Sequence, residues 1–313
     1  MKLLKLVPHD TKIRFMDFAK IAMPISGVLV LVSLALFFVV GLNLGIDFKG
    51  GTLIQVQTKG ETADIGELRS RIGALGLGDV QIQEFGSDNE VLIRVEEQAG
   101  GEEAQQNVSV KVREALGDSV VYRRTEVVGP TVSGELARDG TIAVLATIMA
   151  ILIYIWFRFE WQFAIGAVAA LVHDVALTIG MFCILQLQFD LSIIAALLTI
   201  VGYSLNDTVV VYDRVRENLR KYKRLSTEDL LNLSINDTLS RTVLTSVTTL
   251  LALLSLYIFG GEVLRGFVFA MIWGVLIGTY SSIAIAAPLL KLLNVKRDWS
   301  ETEKGSAEIA NGA

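Results

Sequence analysis

Six apolar stretches constrain this chain more than any other feature: 21–42, 141–157, 163–183, 191–211, 243–259 and 264–290. A helix needs roughly 17–25 apolar residues to cross a bilayer, and each run reaches that length. Hydrocarbon offers backbone N–H and C=O groups no water, so each run must satisfy them internally as a helix. The predicted fold is a multi-pass α-helical membrane protein with six transmembrane helices. A hydrophobic fraction of 52% with 19% charged residues suits that class better than one soluble core.

The first run follows a short basic flank, 1–20, where Lys2, Lys5, Lys12, Arg14 and Lys20 stand against Asp10 and Asp17. It is longer than the roughly 7–15-residue core of a signal peptide, and Val39-Val40-Gly41 is a poor cleavage site. A retained first span over 21–42 is therefore expected. From 43 to 135 the composition changes, with nine Lys or Arg against sixteen Asp or Glu and no run able to span. Alternation in TLIQVQT, DVQIQEF and EVLIRV predicts half-buried strands at 52–58, 79–85 and 90–95, with a fourth at 119–127. Ile65, Leu68, Arg71 and Ile72, then Val108, Val112, Ala115 and Leu116, predict helices at 62–75 and 102–116. The order strand, helix, strand, strand, helix, strand fits an α+β ferredoxin-like domain between the first two spans, with a hairpin connection at 86–89.

Basic residues orient the spans. Arg214, Arg216, Arg220, Lys221, Lys223 and Arg224 open the segment 214–240, and Lys291, Lys296 and Arg297 lead into the tail, 293–313. Lys and Arg favour the cytoplasmic side, and an even number of spans places both clusters and the N-terminal flank there together. The domain at 43–135 is then external, and 136–292 holds the remaining five spans.

The fourth run carries Gly202, Tyr203, Ser204, Asn206 and Asp207 in its second half. A carboxylate within hydrocarbon costs roughly 2.5–3.5 kcal/mol on insertion scales, and is kept where it faces a bundle interior, a wet cavity or a partner charge. Asp207 and Asn206 either join helices or belong to a proton site. In the fifth run Arg241, Thr245, Thr248, Thr249 and Ala252 recur at helical spacing, so Arg241 can face Asp207 if the fourth and fifth spans are neighbours. The alternative for Arg241 is a snorkelling anchor to lipid phosphates. His173 and Asp174, central in the third run, are open to two readings, a polar relay or an interhelical hydrogen-bond network. Gly274, Gly278, Ser282 and Ala286 recur every four residues and predict close helix packing in the sixth span.

Several classes are excluded. A single cysteine, Cys183, provides no disulfide or cysteine metal site within the chain, and two histidines are too few for a histidine-built one. A net charge of -5 argues against nucleic acid as a partner. The lysine-bearing GIDFKGG lacks phosphate-loop spacing, so no nucleotide-hydrolysing enzyme and no cofactor are expected.

Six motifs occur in order along the chain: GIDFKGG at 45–51, VGPTVSGEL at 128–136, HDV at 173–175, VGYSLNDTVVVYDRVREN at 201–218, SRTVLTS at 240–246, and FGG followed by LRGFVFAMIWGVLIGTYSS. Together they resemble the SecF family of bacterial protein-export membrane subunits, over essentially the whole length. The resemblance implies a resistance-nodulation-division transporter fold in the bacterial inner membrane, with cytoplasmic termini. Implied partners are SecD, the SecYEG channel with its accessory membrane subunits, an unfolded secretory polypeptide and protons. It also assigns proton coupling to Asp207 and Arg241. To Gly45, Asp47, Lys49, Gly50 and Gly51 it assigns a structural link between first span and external domain. Against this stand two other classes, a small-molecule efflux subunit and a non-transporting assembly scaffold. Copurification with a second six-span chain separates the first reading from a dye-moving homo-oligomer.

The topology is testable by labelling. A cysteine at Asp88→Cys is expected to react with an impermeant reagent from outside, and one at Lys223→Cys only after the cytoplasmic side is opened; the reverse pattern would invert the assignment.

Overall fold

The computed structural model describes residues 11–295, so Lys2, Lys5, His9, Asp10, Lys296, Arg297 and the rest of the tail lie outside the described residues. Six helices in it are long and apolar enough to cross a membrane. The first, α1 (Phe15–Val39), begins before the apolar run does. Arg14 at its N-cap supplies no side-chain cap. Instead, Asn236 Oδ1 accepts from the Ile13 amide (3.0 Å) and Asn232 Oδ1 from the Met16 amide (2.9 Å). Unpaired N–H groups at a helix start need such partners, and here a distant helix supplies them.

Between α1 and the second long helix lies the small sheet domain. A short helix α2 (Ile46–Lys49) leads into β1 (Gly51–Thr58), α3 (Ile65–Gly73), β2 (Val80–Phe85), β3 (Ser87–Val95), α4 (Gly101–Leu116) and β4 (Val120–Val128). The sheet order is β2-β3-β1-β4 with all pairs antiparallel, the ferredoxin-like arrangement expected. Ile54, Val56, Ile93 and Val95 point to one face, where Leu68 and Ile72 of α3 and Val108, Val112 and Leu116 of α4 cover them. Leu53 and Leu92 lie on the other face, packed with Ile46.

Among the boundaries that differ from the sequence reading, two in the sheet domain have a clear local cause. Helix α3 starts at Ile65, not 62, because Asp64 is its N-cap and accepts from the Glu67 amide (2.9 Å). The hairpin connection shrinks from 86–89 to Gly86, whose φ of +81° turns the chain so that Phe85 already pairs with Ser87.

The remaining helices are α5 (Pro130–Arg158), α6 (Trp161–Leu185), α7 (Leu191–Lys221), α8 (Thr227–Phe259) and α9 (Glu262–Ser281). A π-helical turn, Ser282–Ala286, then passes into α10 (Ala287–Leu292). Pro130 opens α5 from the first helical turn, where its missing N–H costs nothing. The basic stretch after Arg214 is helical too: α7 continues to Lys221, and α8 begins at Thr227, capped by Ser226 accepting from the Asp229 amide (3.0 Å).

Helix α7 packs against α5, α6, α8 and α9, so it runs through the middle of the bundle. In hydrocarbon, helices gain little from apolar burial alone; close van der Waals approach matters more, and small residues permit it. A Cβ on Gly274 would lie 2.2 Å from Ile200 Cγ1, and one on Gly278 2.9 Å from Ser204 Cβ. These glycines set how near α9 comes to α7. Gly274→Leu is therefore expected to lower the thermal midpoint of the detergent-solubilised protein, whereas Gly202→Ala, whose Cβ meets nothing within 4 Å, leaves it unchanged. Equal midpoints for both variants would show that the close approach contributes nothing.

Candidate functional site

On α7 the buried residues recur as Ile193, Ala196, Ile200, Ser204, Asp207 with Thr208, Val211 and Val215, one inward stripe at helical spacing. That periodicity carries Asp207 into the bundle and leaves Gly202 and Asn206 exposed on another side. Asp207 is 8% exposed. Its Oδ1 accepts from Thr242 Oγ1 of α8 at 2.6 Å, and its buried Oδ2 has no hydrogen-bond partner among the described residues.

Helices α7 and α8 are neighbours, as a relation between Asp207 and Arg241 requires. Yet the side chain that reaches the carboxylate is Thr242. Arg241, Thr245 and Thr248 are exposed, and the two threonines bond back to carbonyls of their own helix. Arg241 lies within electrostatic reach of Asp207 without an ion pair between them among the described residues. The polar stripe read from the sequence thus faces out of the bundle, and Thr242 and Ser246, one residue round the helix, face in. Hydroxyls can be buried by bonding to Asp207, Tyr203 and Thr279. A guanidinium buried there would need a full set of acceptors.

One turn nearer the α7 N-terminus lies the second buried carboxylate. Asp174 of α6 is fully buried and His173 is 4% exposed. His173 Nδ1 pairs with Asp174 Oδ1 at 2.9 Å. Ser204 of α7 and Ser281 of α9 both donate to Asp174 Oδ2, at 2.5 and 2.8 Å. Beside it, Ser282 Oγ and Thr208 Oγ1 are 2.9 Å apart, and Ser282 lies next to the Asp207 carboxyl. The sequence places Ser282 among packing residues and Ser204 among the polar residues of the fourth run, and does not single out Ser281, Thr208 or Thr242. The available signal was hydroxyl residues repeating every four positions, 204 with 208 bracketing Asp207 in the fourth run and 242 with 246 in the fifth.

The GIDFKGG residues sit at the other end of α7, roughly 24 Å from Asp207 by helical rise. The Gly45 amide donates to the Phe189 carbonyl (2.7 Å), and Phe189 returns a bond to the Asn43 carbonyl (2.8 Å). A Cβ on Gly45 would crowd Gln188 Nε2 at 3.1 Å. Asp47 Oδ2 accepts from the amide of Leu191, the first residue of α7, at 2.9 Å. Gly50 and Gly51 have φ of +71° and +125°, and a Cβ on Gly51 would lie 2.5 Å from the Val95 carbonyl oxygen. Lys49 is exposed at the rim of a cleft of about 250 Å³ lined also by Arg94, Glu96 and Glu97. Burial holds the Arg94 guanidinium below its ordinary pKa, with Asp190 opposing the shift.

Comparison with known proteins agrees with this architecture. Residues 108–296 match the family described as "Protein export membrane protein SecD/SecF, C-terminal", and residues 35–61 match the "SecD/SecF GG Motif". Protein translocase subunit SecF of Rhodobacter capsulatus is 48% identical, over 99% of this chain and 97% of its own. Protein translocase subunit SecDF of Brucella abortus is 44% identical over 97% of this chain and 40% of its own. The crystal structure of SecDF from Thermus thermophilus superposes with a TM-score of 0.83 at 35% identity, covering 93% of this chain and 40% of that one. By fold, motifs and full-length similarity alike, this chain belongs to the SecF family of protein translocase subunits.

Proposed function

We propose that this chain, paired with SecD in the bacterial inner membrane, uses the proton motive force to drive a late step of Sec-dependent protein export. On this reading Asp207 is the titrating group and Arg241 its electrostatic partner. The observation that carries it is the half-satisfied Asp207: a buried carboxylate in a spanning helix, with one oxygen held by Thr242 and the other unpartnered among the described residues. The unpartnered oxygen gives a proton a place to bind without first breaking a hydrogen bond.

Protonation supplies the two states. Ionised, Asp207 accepts from Thr242 and attracts Arg241; neutral, it loses that attraction and gains an O–H to donate. A proton crossing the full potential contributes about 2.3 kcal/mol per 100 mV, comparable to the few kcal/mol that separate two helix arrangements. The altered packing of α7 would reach the sheet domain, which on this reading lies outside and pulls or retains an unfolded polypeptide emerging from SecYEG and its accessory subunits. Both termini would then be cytoplasmic.

A partner is supported independently. Asn206 of α7 and Arg241 of α8 are exposed along helices that cross hydrocarbon. Lipid chains cannot satisfy that polar surface, whereas a second bundle can. The SecDF relatives, whose length is more than twice this chain's, have SecD and SecF joined in name and in one polypeptide.

Asp207→Asn and Arg241→Met are each expected to abolish most of the gradient-dependent gain in export of an unfolded precursor into inverted membrane vesicles, at matched levels of SecD and of the variant. Membrane insertion and copurification with SecD should persist, since Asn preserves volume and Met keeps an extended stem. Wild-type gradient stimulation in both variants would eliminate the coupling role.

A further inference from the structure

Proton coupling at Asp207 leaves the other buried carboxylate, Asp174, without a task. We infer that the His173–Asp174 pair is a second proton-holding site, and that the neighbouring hydroxyls Ser281 and Ser282 couple it to Asp207 so that protonating either carboxyl disfavours protonating the other. This rests on the reading of Asp207 as a titrating group.

The coupling geometry lies in one shared acceptor. The Gly278 carbonyl is within hydrogen-bond reach of Ser281 Oγ (3.1 Å) and of Ser282 Oγ (2.9 Å). Ser281 Oγ also reaches Asp174 Oδ2 (2.8 Å), and Ser282 Oγ adjoins Thr208 Oγ1 (2.9 Å) and the Asp207 carboxyl. Each hydroxyl has one hydrogen and therefore one choice of donation at a time. With Asp174 ionised, Ser281 donates to it and leaves Gly278 to Ser282. A proton on Asp174 fills one carboxyl lone pair and frees the Ser281 hydrogen for Gly278. Ser282 is then released towards Thr208 and Asp207, where donation favours the ionised form of Asp207. Direct repulsion between two carboxylates acts in the same sense.

The surroundings fit a site that exchanges protons. Asp174 faces His173 on α6, Ser204 and, one turn on, Asp207 on α7, and Ser281 on α9. Tyr280 of α9 stacks obliquely on His173 at 5.9 Å between centroids, and its hydroxyl meets Ser26 of α1 at 2.8 Å. Asp207 faces Thr242 of α8, with the exposed Arg241 within electrostatic reach. His173 Nε2 is buried with no partner among the described residues, so the pair holds a base in reserve that a packing network would have satisfied. The two serines stand where α9 gives way to the π-helical turn starting at Ser282, and π-turns are frequent at functional positions.

The test is a pH titration of carboxyl C=O stretches by infrared difference spectroscopy on the full chain in lipid vesicles. Wild type is expected to show two bands with separate midpoints, one lost in Asp174→Asn and the other in Asp207→Asn. Removing whichever carboxyl protonates second should weaken proton binding at the survivor, on the order of tenfold. Ser281→Ala and Ser282→Ala keep both bands but bring their midpoints together, and they guard against an Asp174 variant that fails to fold. If the Asp207 band titrates and neither serine variant moves either midpoint, the inference is overturned while the function proposed above stands. If Asp207→Asn removes no titrating band, both fall.

Discussion

Keeping two carboxylates inside a bundle that lipid surrounds is the constraint from which the rest of this architecture follows. An acid in hydrocarbon must be met by donors, and main-chain amides are already committed to their helices. The donors must come from short hydroxyl side chains on adjacent helices, and short side chains reach only if the backbones are close. The glycines of α9 facing Ile200 and Ser204 supply that closeness. Ser204, Ser281 and Thr242 then occupy the positions where α7, α8 and α9 meet the two acids. Packing and chemistry are here one requirement: a bulkier α9 face would leave the acids unsolvated.

The spans and the order of strands and helices in the sheet domain were legible in the sequence because each rests on a periodic apolar signal, whereas the packing of α7 against α8 entered only as a condition that the structure meets. Asp207 was legible as well, since a lone acid in an apolar run declares itself. Which side of α8 faces it was not. Arg241 and Thr242 are adjacent, about 100° apart on the helix, and choosing between them requires knowing where α9 lies. Likewise, the cap of α1 by Asn232 and Asn236 joins residues more than two hundred positions apart and leaves no local trace. Cross-helix hydroxyl contacts fail to show for the same reason: serine and threonine are common in spans, and most simply bond back to their own helix.

The exposed polar edge made by Asn206 and Arg241 has a bearing on how such a bundle evolves. A chain that keeps charge on its lipid-facing side commits itself to company, because alone it bears the cost of that charge. The joined polypeptides among its relatives are one solution, with the partner held at high effective concentration by the connecting chain.

The bond from Asp47 to the Leu191 amide gives α7 a cap that is not its own. Asp190 serves the same helix end from within the chain's local sequence, accepting from the Ile193 amide, so that the first turn is gripped from two sides. Because Asp47 immediately precedes the sheet domain, a displacement of that domain would bear on the first turn of the helix that carries Asp207. A rod held at its tip transmits a push without first bending, whereas a loop would absorb it as slack. The sheet domain and the buried acid thus share one continuous helix, the first tied to its N-terminal turn and the second set in its interior.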